Sequence, residues 1–217
     1  MSIQEPIVRI KKFKSESFDL RSKGDLKAAM ERLRDGVKTG RKAMASKAKS
    51  PSSDPAGRVE WELADCLGIL GGMLLKQGRV AEAIEAFREG RNLEMKGGYQ
   101  LGLTYNSVNY LVALVMDSGW ETLKESLSSV SEIIDKLRKR TAGSAVNDIW
   151  AWADLGMCEL LNKNLEAAKS AYTMASKLAN AQERRSMFDR LLLVKAKTRS
   201  DNADVTAYIN EITKILA

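Results

Sequence analysis

The chain has 217 residues, 44% of them hydrophobic, and a net charge of +7, enough for one sizeable core or a short solenoid. It contains no histidine and only two cysteines, Cys66 and Cys158. That excludes Ser-His-Asp and Cys-His nucleophiles, His-Glu-x-x-His zinc sites and four-thiolate zinc sites. Glycine-rich phosphate loops are also missing, so no catalytic, metal or cofactor residue is expected.

The first segment, MSIQEPIVRIKKFK, has neither a continuous apolar stretch nor a small-residue cleavage site, and does not read as a secretory signal. Residues 10–43 read as a degenerate helix pair. Phe13 and Leu20 lie on its first helix, Gly24 marks the turn, Asp25 is the N-cap of the second helix, and Ala29, Leu33 and Gly36 follow. Glu16 and Ser17 interrupt the apolar spacing of its first helix. The segment 48–57, AKSPSSDPAG, holds two of the three prolines and reads as a loop; no proline follows it. Residues 64–97 read as a well-formed pair. Leu67, Leu70, Gly71 and Leu74 line the first helix, Gly78 stops it, and Ala83, Phe87 and Gly90 line the second.

Residues 99–140 read as an elongated pair, Tyr99–Asp117 and Glu121–Arg140, joined at Ser118-Gly119, with Thr141–Ser144 as exit turn. Residues 149–182 read as another well-formed pair. Trp152, Leu155 and Gly156 are on its first helix, and Ala168, Tyr172 and Ala175 on the second. Here Glu159 breaks the apolar pattern and Lys163 replaces the turn glycine. Residues 183–217 read as capping helices, Glu183–Thr198 and Val205–Leu216, separated by Ser200-Asp201-Asn202. Trp61, Trp120, Trp152 and Met187 are assigned to the core, and Trp150 stands between core and contact. The Gly71-Gly72 pair reads as close helix packing rather than a phosphate loop, because it lies mid-helix. Each cysteine sits among apolar residues on its own helix, as small buried hydrophobes do in a reducing compartment. No apolar run approaches the roughly 20 residues of a membrane span, and the cytoplasm is the expected location.

Charge is uneven. Residues 1–50 carry 14 Lys and Arg against 6 Asp and Glu, a balance of +8, while the rest of the chain balances to −1. A basic segment of this kind suits nucleic acid, an acidic protein face or an anionic membrane, or is simply a solvated helix face.

The pairs at 64–97 and 149–182, with the weaker one at 10–43, resemble the tetratricopeptide repeat, a 34-residue helix–turn–helix unit. The resemblance implies an all-α, right-handed solenoid of antiparallel helix pairs forming one domain over 1–217, with capping helices at its end. It implies protein–protein interaction through a concave groove lined by the first helix of each pair. Carried onto this chain, the groove positions are Lys11, Lys14, Phe18, Arg21 and Ser22; Asp65, Gly68, Gly72, Leu75 and Lys76; Asn106, Asn109, Ala113, Met116 and Asp117; and Trp150, Ala153, Met157, Leu160 and Leu161. Members that hold a peptide carboxylate use a lysine-and-asparagine clamp. Lys14 matches its first lysine, but Phe18 replaces the asparagine, so an extended peptide or a partner helix is the better ligand. A second resemblance covers Tyr99–Lys197. The stretches TYNSVNYLVALVMDSGW and DIWAWADLGMCELLNKNLEAAKSAY are similar to the helical TRAF-binding region of apoptosis-signal-regulating kinase kinase kinases and their bacterial relatives. It implies a scaffold or regulatory module in a signalling or defence assembly, with no catalytic residue carried over. Two alternatives stand beside this reading: a nucleic-acid-associated factor using residues 1–50, ranked lower because Phe13 and Phe18 are the only aromatics there, and a structural homo-oligomer.

Overall fold

A computed structural model describes residues 4–47, 58–95, 104–198 and 203–217. The loop 48–57, the start of the helix expected from Tyr99, and Ser200-Asp201-Asn202 lie outside the described residues. Among the described residues the chain is all-helical, with ten α-helices, one 3-10 helix and no strand. It divides into two compact units, Met1–Tyr110 and Leu111–Ala217.

The first unit contains α1 (Gln4–Ser22), α2 (Leu26–Lys47), α3 (Arg58–Lys76), α4 (Val80–Met95) and the start of α5 (Tyr105–Ser118). α1 packs on α2, α3 on α4, and α3 also on α2 and α1. The turns follow from two glycines. Gly24 and Gly78 have φ of +82° and +73°, a backbone region that is cheap only without a Cβ. Around each, the next residue's N–H reaches back to close the helix end: Asp25 to Leu20 O and Arg79 to Leu74 O, both at 3.0 Å. Asp25 then caps α2, its carboxylate accepting from Ala28 N at 3.0 Å. α1 is a regular helix despite its irregular sequence, and Ser17 is buried there as a small residue. Small residues set how closely the helices approach. A Cβ on Gly71 would lie 2.7 Å from the Phe87 ring, and one on Gly36 2.8 Å from Cys66 Sγ.

The second unit contains the rest of α5, a 3-10 helix Trp120–Ser126, α6 (Leu127–Thr141), α7 (Ile149–Leu161), α8 (Leu165–Leu178), α9 (Ala181–Lys195) and α10 (Ala203–Leu216). α7 packs on α6 and α8, and α10 on α8 and α9. Gly156 repeats the role of Gly71, since a Cβ there would lie 2.7 Å from the Tyr172 ring. The turn after α7 repeats those after α1 and α3. Lys163 adopts φ of +59° and Asn164 N reaches Glu159 O at 2.9 Å, so a lysine occupies the glycine position. α7 starts on Asp148, whose side chain accepts from Trp150 N and Ala151 N. α9 starts on an Asn180–Glu183 capping box.

Two expectations need correction here. The helix expected at Glu121–Arg140 begins only at Leu127. Residues Trp120 and Leu123 are both buried, and three residues per turn in a 3-10 helix brings that spacing onto one line. Trp61 is not a core residue but 38% exposed, whereas Trp120 and Met187 are buried. Trp152 is half-buried and donates its ring N–H to Val146 O at 2.8 Å.

Candidate functional site

The face that stands out is built by α1, α3 and the first turn of α5, all within the first unit. On α1, Lys11, Lys14 and Phe18 recur at helical spacing and share one stripe. On α3, Trp61, Asp65, Gly68 and Gly72 do the same. Lys14 joins the two helices, its ammonium lying 2.5 Å from Glu62 Oε2, 2.6 Å from Asp65 Oδ2 and 5.2 Å from the centre of the Trp61 ring. Burial alone would lower the Lys14 ammonium, but the hydrogen bonds to Asp65 and Glu62 prevail and hold it above the ordinary lysine range. Lys14 is therefore a fixed cation, not a nucleophile or base. Lys11 adds a longer contact to the buried Glu62, at 3.4 Å. Beyond Asp65 the α3 stripe is flat. Tyr105 fills the space over it, 2.6 Å from a Cβ built on Gly68, with its hydroxyl 3.3 Å from one on Gly72.

The charges at this face cancel: two lysines meet Glu62 and Asp65. What stays open to solvent is aromatic and apolar, with Phe18 50% and Trp61 38% exposed. Aromatic side chains are enriched at protein interfaces relative to the rest of the surface. Arg21 and Lys76 are exposed at the helix ends and make no described ion pair.

Several expected groove residues lie elsewhere. Leu75 is buried. Asn106 is buried and serves the fold: its Nδ2 donates to Ala64 O at 2.9 Å and Glu94 Oε1 at 3.0 Å. Glu94 caps α5 from outside that helix, accepting also from Asn106 N at 2.9 Å, Ser107 N at 3.0 Å and Ser107 Oγ at 2.7 Å. Burial raises the Glu94 carboxyl above its ordinary range even against those bonds. Asn109 is buried and bonds Tyr105 O at 2.8 Å. In the second unit Met116 and Met157 are buried, as are Ala153, Leu160 and Leu161, so none of them lines an open face. Trp150 is 41% exposed.

The polar residues hardest to assign from sequence are pairing groups. Glu159 is buried because Arg138 Nη2 lies 2.6 Å away and Asn164 Nδ2 donates to its other oxygen at 3.0 Å. Asp154 is buried against Arg190 Nη1 at 2.9 Å, and Arg190 Nη2 also reaches Ala153 O at 3.2 Å. Both cysteines are free and buried. Burial pushes the Cys66 thiol up to about 12 and raises Cys158 well above its ordinary value, which leaves both without thiolate character near neutrality. Among the described residues no group of His, Cys, Asp and Glu is arranged to hold a metal, and no helix is long and apolar enough to cross a membrane. No protein family, curated protein or solved structure matches this sequence.

Proposed function

We propose that the chain is a tetratricopeptide-like interaction module that holds an extended segment or a helix of a partner protein on the α1–α3–α5 face. The observation that carries this reading is the pair of exposed aromatics Phe18 and Trp61 on the two helices joined by a charge-neutral Lys11–Lys14–Glu62–Asp65 cluster, with Lys14 over the Trp61 ring. Support for the repeat reading comes from recurrence. The Gly24, Gly78 and Lys163 turns close alike, and Gly71–Phe87 and Gly156–Tyr172 pack alike. Neutral charge with exposed aromatics favours an apolar or mixed partner segment over a terminal carboxylate. A scaffolding or regulatory role inside the cell follows as the corresponding biological reading.

The test is site-specific photo-crosslinking in the source cell, with a benzophenone amino acid replacing Phe18, Trp61 or, as control, the exposed Glu31 of α2. A single partner captured from positions 18 and 61, absent from position 31, and lost in Phe18→Asp and Trp61→Asp proteins supports the reading. Capture that is equal from all three positions, or unaffected by the two aspartates, refutes it.

A further inference from the structure

The proposed partner face leaves most of the basic character of the N-terminal hairpin unused, and part of that charge gathers on a different side of α1. Glu5, Arg9 and Phe13 form a stripe about half a turn away from Lys11, Lys14 and Phe18. With the facing side of α2 they line an open groove of about 580 Å³. Its apolar lining residues are Pro6, Phe13 and Ala43, and Ala43 belongs to a small core with Ile7 and Val59. Around it stand Arg9, Lys38 and Lys42. The other charges at the groove are Glu5, Asp35 and Arg32, and Arg32 faces Asp35 at 3.4 Å. Two cations on other sides of the hairpin, by contrast, are held by partners from α3 and α4: Lys14 by Glu62 and Asp65, and Arg41 by Glu89. Among the described residues no carboxylate forms an ion pair with Arg9, Lys38 or Lys42. Lys38 and Lys42 are four residues apart on one helix, a like-charge spacing that costs stability unless an anion lies between them.

We infer that the α1–α2 groove is a docking site for a short acidic peptide segment of another protein, carrying one apolar side chain between carboxylates. The apolar strip takes the anchor, and Arg9, Lys38 and Lys42 take the flanking acids. A nucleic-acid strand fits less well, because base stacking needs open aromatic faces and the groove offers only the half-buried Phe13. The site is separate from the Phe18–Trp61 face, so the two stand or fall independently.

The probe is a fluorescein-labelled peptide, acetyl-EELEE-amide, followed by anisotropy against the full chain at low salt, with a thymidine hexanucleotide as competitor. The expected result is saturable binding that weakens by at least about tenfold in Arg9→Glu/Lys38→Glu/Lys42→Glu. It should persist in Lys23→Glu/Lys27→Glu/Lys139→Glu, which makes the same change in net charge outside the groove. Circular dichroism confirms that both variants are helical, and Ser46→Glu at the groove end supplies a milder second variant expected to weaken binding. No binding of the peptide, equal loss in both triple variants, or displacement by the hexanucleotide at lower concentration than unlabelled peptide overturns the inference.

Discussion

Gly71 and Gly72 are adjacent on α3, yet replacing each with alanine is expected to act in opposite directions. Both substitutions remove a mid-helix glycine, which by itself stabilises the helix by about 1 kcal/mol. At Gly71 the new Cβ lies 2.7, 2.8 and 2.9 Å from three atoms of the Phe87 ring, which is fully buried. A buried ring in a close-packed core has nowhere to swing, and overpacking of this kind costs about 1–3 kcal/mol. At Gly72 the only near atom is the Tyr105 hydroxyl at 3.3 Å, the far end of a partly exposed side chain. The helix contribution cancels between the two variants, so their difference isolates the packing cost. Gly71→Ala should be less stable than Gly72→Ala by about 1–3 kcal/mol, or about 2–12 °C in melting temperature for a chain of this length. Melting followed by circular dichroism at 222 nm reads this directly. Both sites lie in the first unit, so the comparison holds whatever order the two units unfold in. A Phe87→Leu background should recover much of the Gly71→Ala loss, because it vacates the space the Cβ needs. If Gly71→Ala melts with or above Gly72→Ala, close approach at Gly71 does not set the α3–α4 packing and the repeat argument loses its main physical support.

Three further outcomes are expected. Lys163→Gly should raise stability by about 0.5–1 kcal/mol in urea unfolding, since a residue at φ of +59° gains by losing its Cβ; no gain would mean that other lysine contacts offset the strain. Arg190→Met should cost about 3–5 kcal/mol by removing the Arg190 cation from the buried Asp154 carboxylate, and Asp154→Leu/Arg190→Met should recover most of the loss; additive losses would refute that account. Glu94 binds its proton more tightly in the folded than in the unfolded chain, so its contribution to stability is largest below the ordinary carboxyl value and declines as pH rises through the raised folded value. A Glu94→Gln chain should lack that decline when stability is measured from pH 4 upward, and an unchanged pH profile would show that Glu94 is not the group responsible.

Much of the helical layout is readable from sequence because it rests on local rules. Gly24 and Gly78 are turn glycines because only glycine adopts their backbone cheaply, and Asp25 is a cap because a short carboxylate reaches an orphan N–H. The Gly71 and Gly156 contacts follow from the same spacing to a large ring on the next helix. What was not readable depends on partners distant in sequence. Trp61 looks like core by residue type, but its place on the Asp65–Gly68–Gly72 stripe was the available sign that it faces outward. Asn106 and Asn109 look like ligand contacts because the repeat register places them at groove positions of their helix. Glu94, twelve residues before Asn106, takes up its N–H groups instead. Glu159 looks like a break in the pattern until Arg138, on the preceding helix, supplies its counter-charge. The 3-10 helix at Trp120–Ser126 is not legible in the sequence, because apolar residues three apart fit either helical period.

The repeat register, applied evenly, places too many residues in a groove. A groove position is open only where nothing packs over the first helix of its pair. On α3 the positions Trp61, Asp65 and Gly72 keep partial exposure, while Tyr105 covers Gly68. On α7 every residue from Ala153 to Leu161 is buried: α6 and α8 flank the helix and Arg190 of α9 bonds Ala153 and Asp154. Met157, Leu160 and Leu161 therefore serve as core in the second unit, although they occupy the same repeat positions as residues that remain accessible in the first. Open binding surface is a property of which neighbours a helix has, and repeat position sets only which stripe would be exposed if those neighbours were absent. This confines the interaction reading to the first unit. There the aromatic face around Lys14 and the basic groove of α1 and α2 lie on separate sides of one helix, so a substitution on either can be scored without disturbing the other.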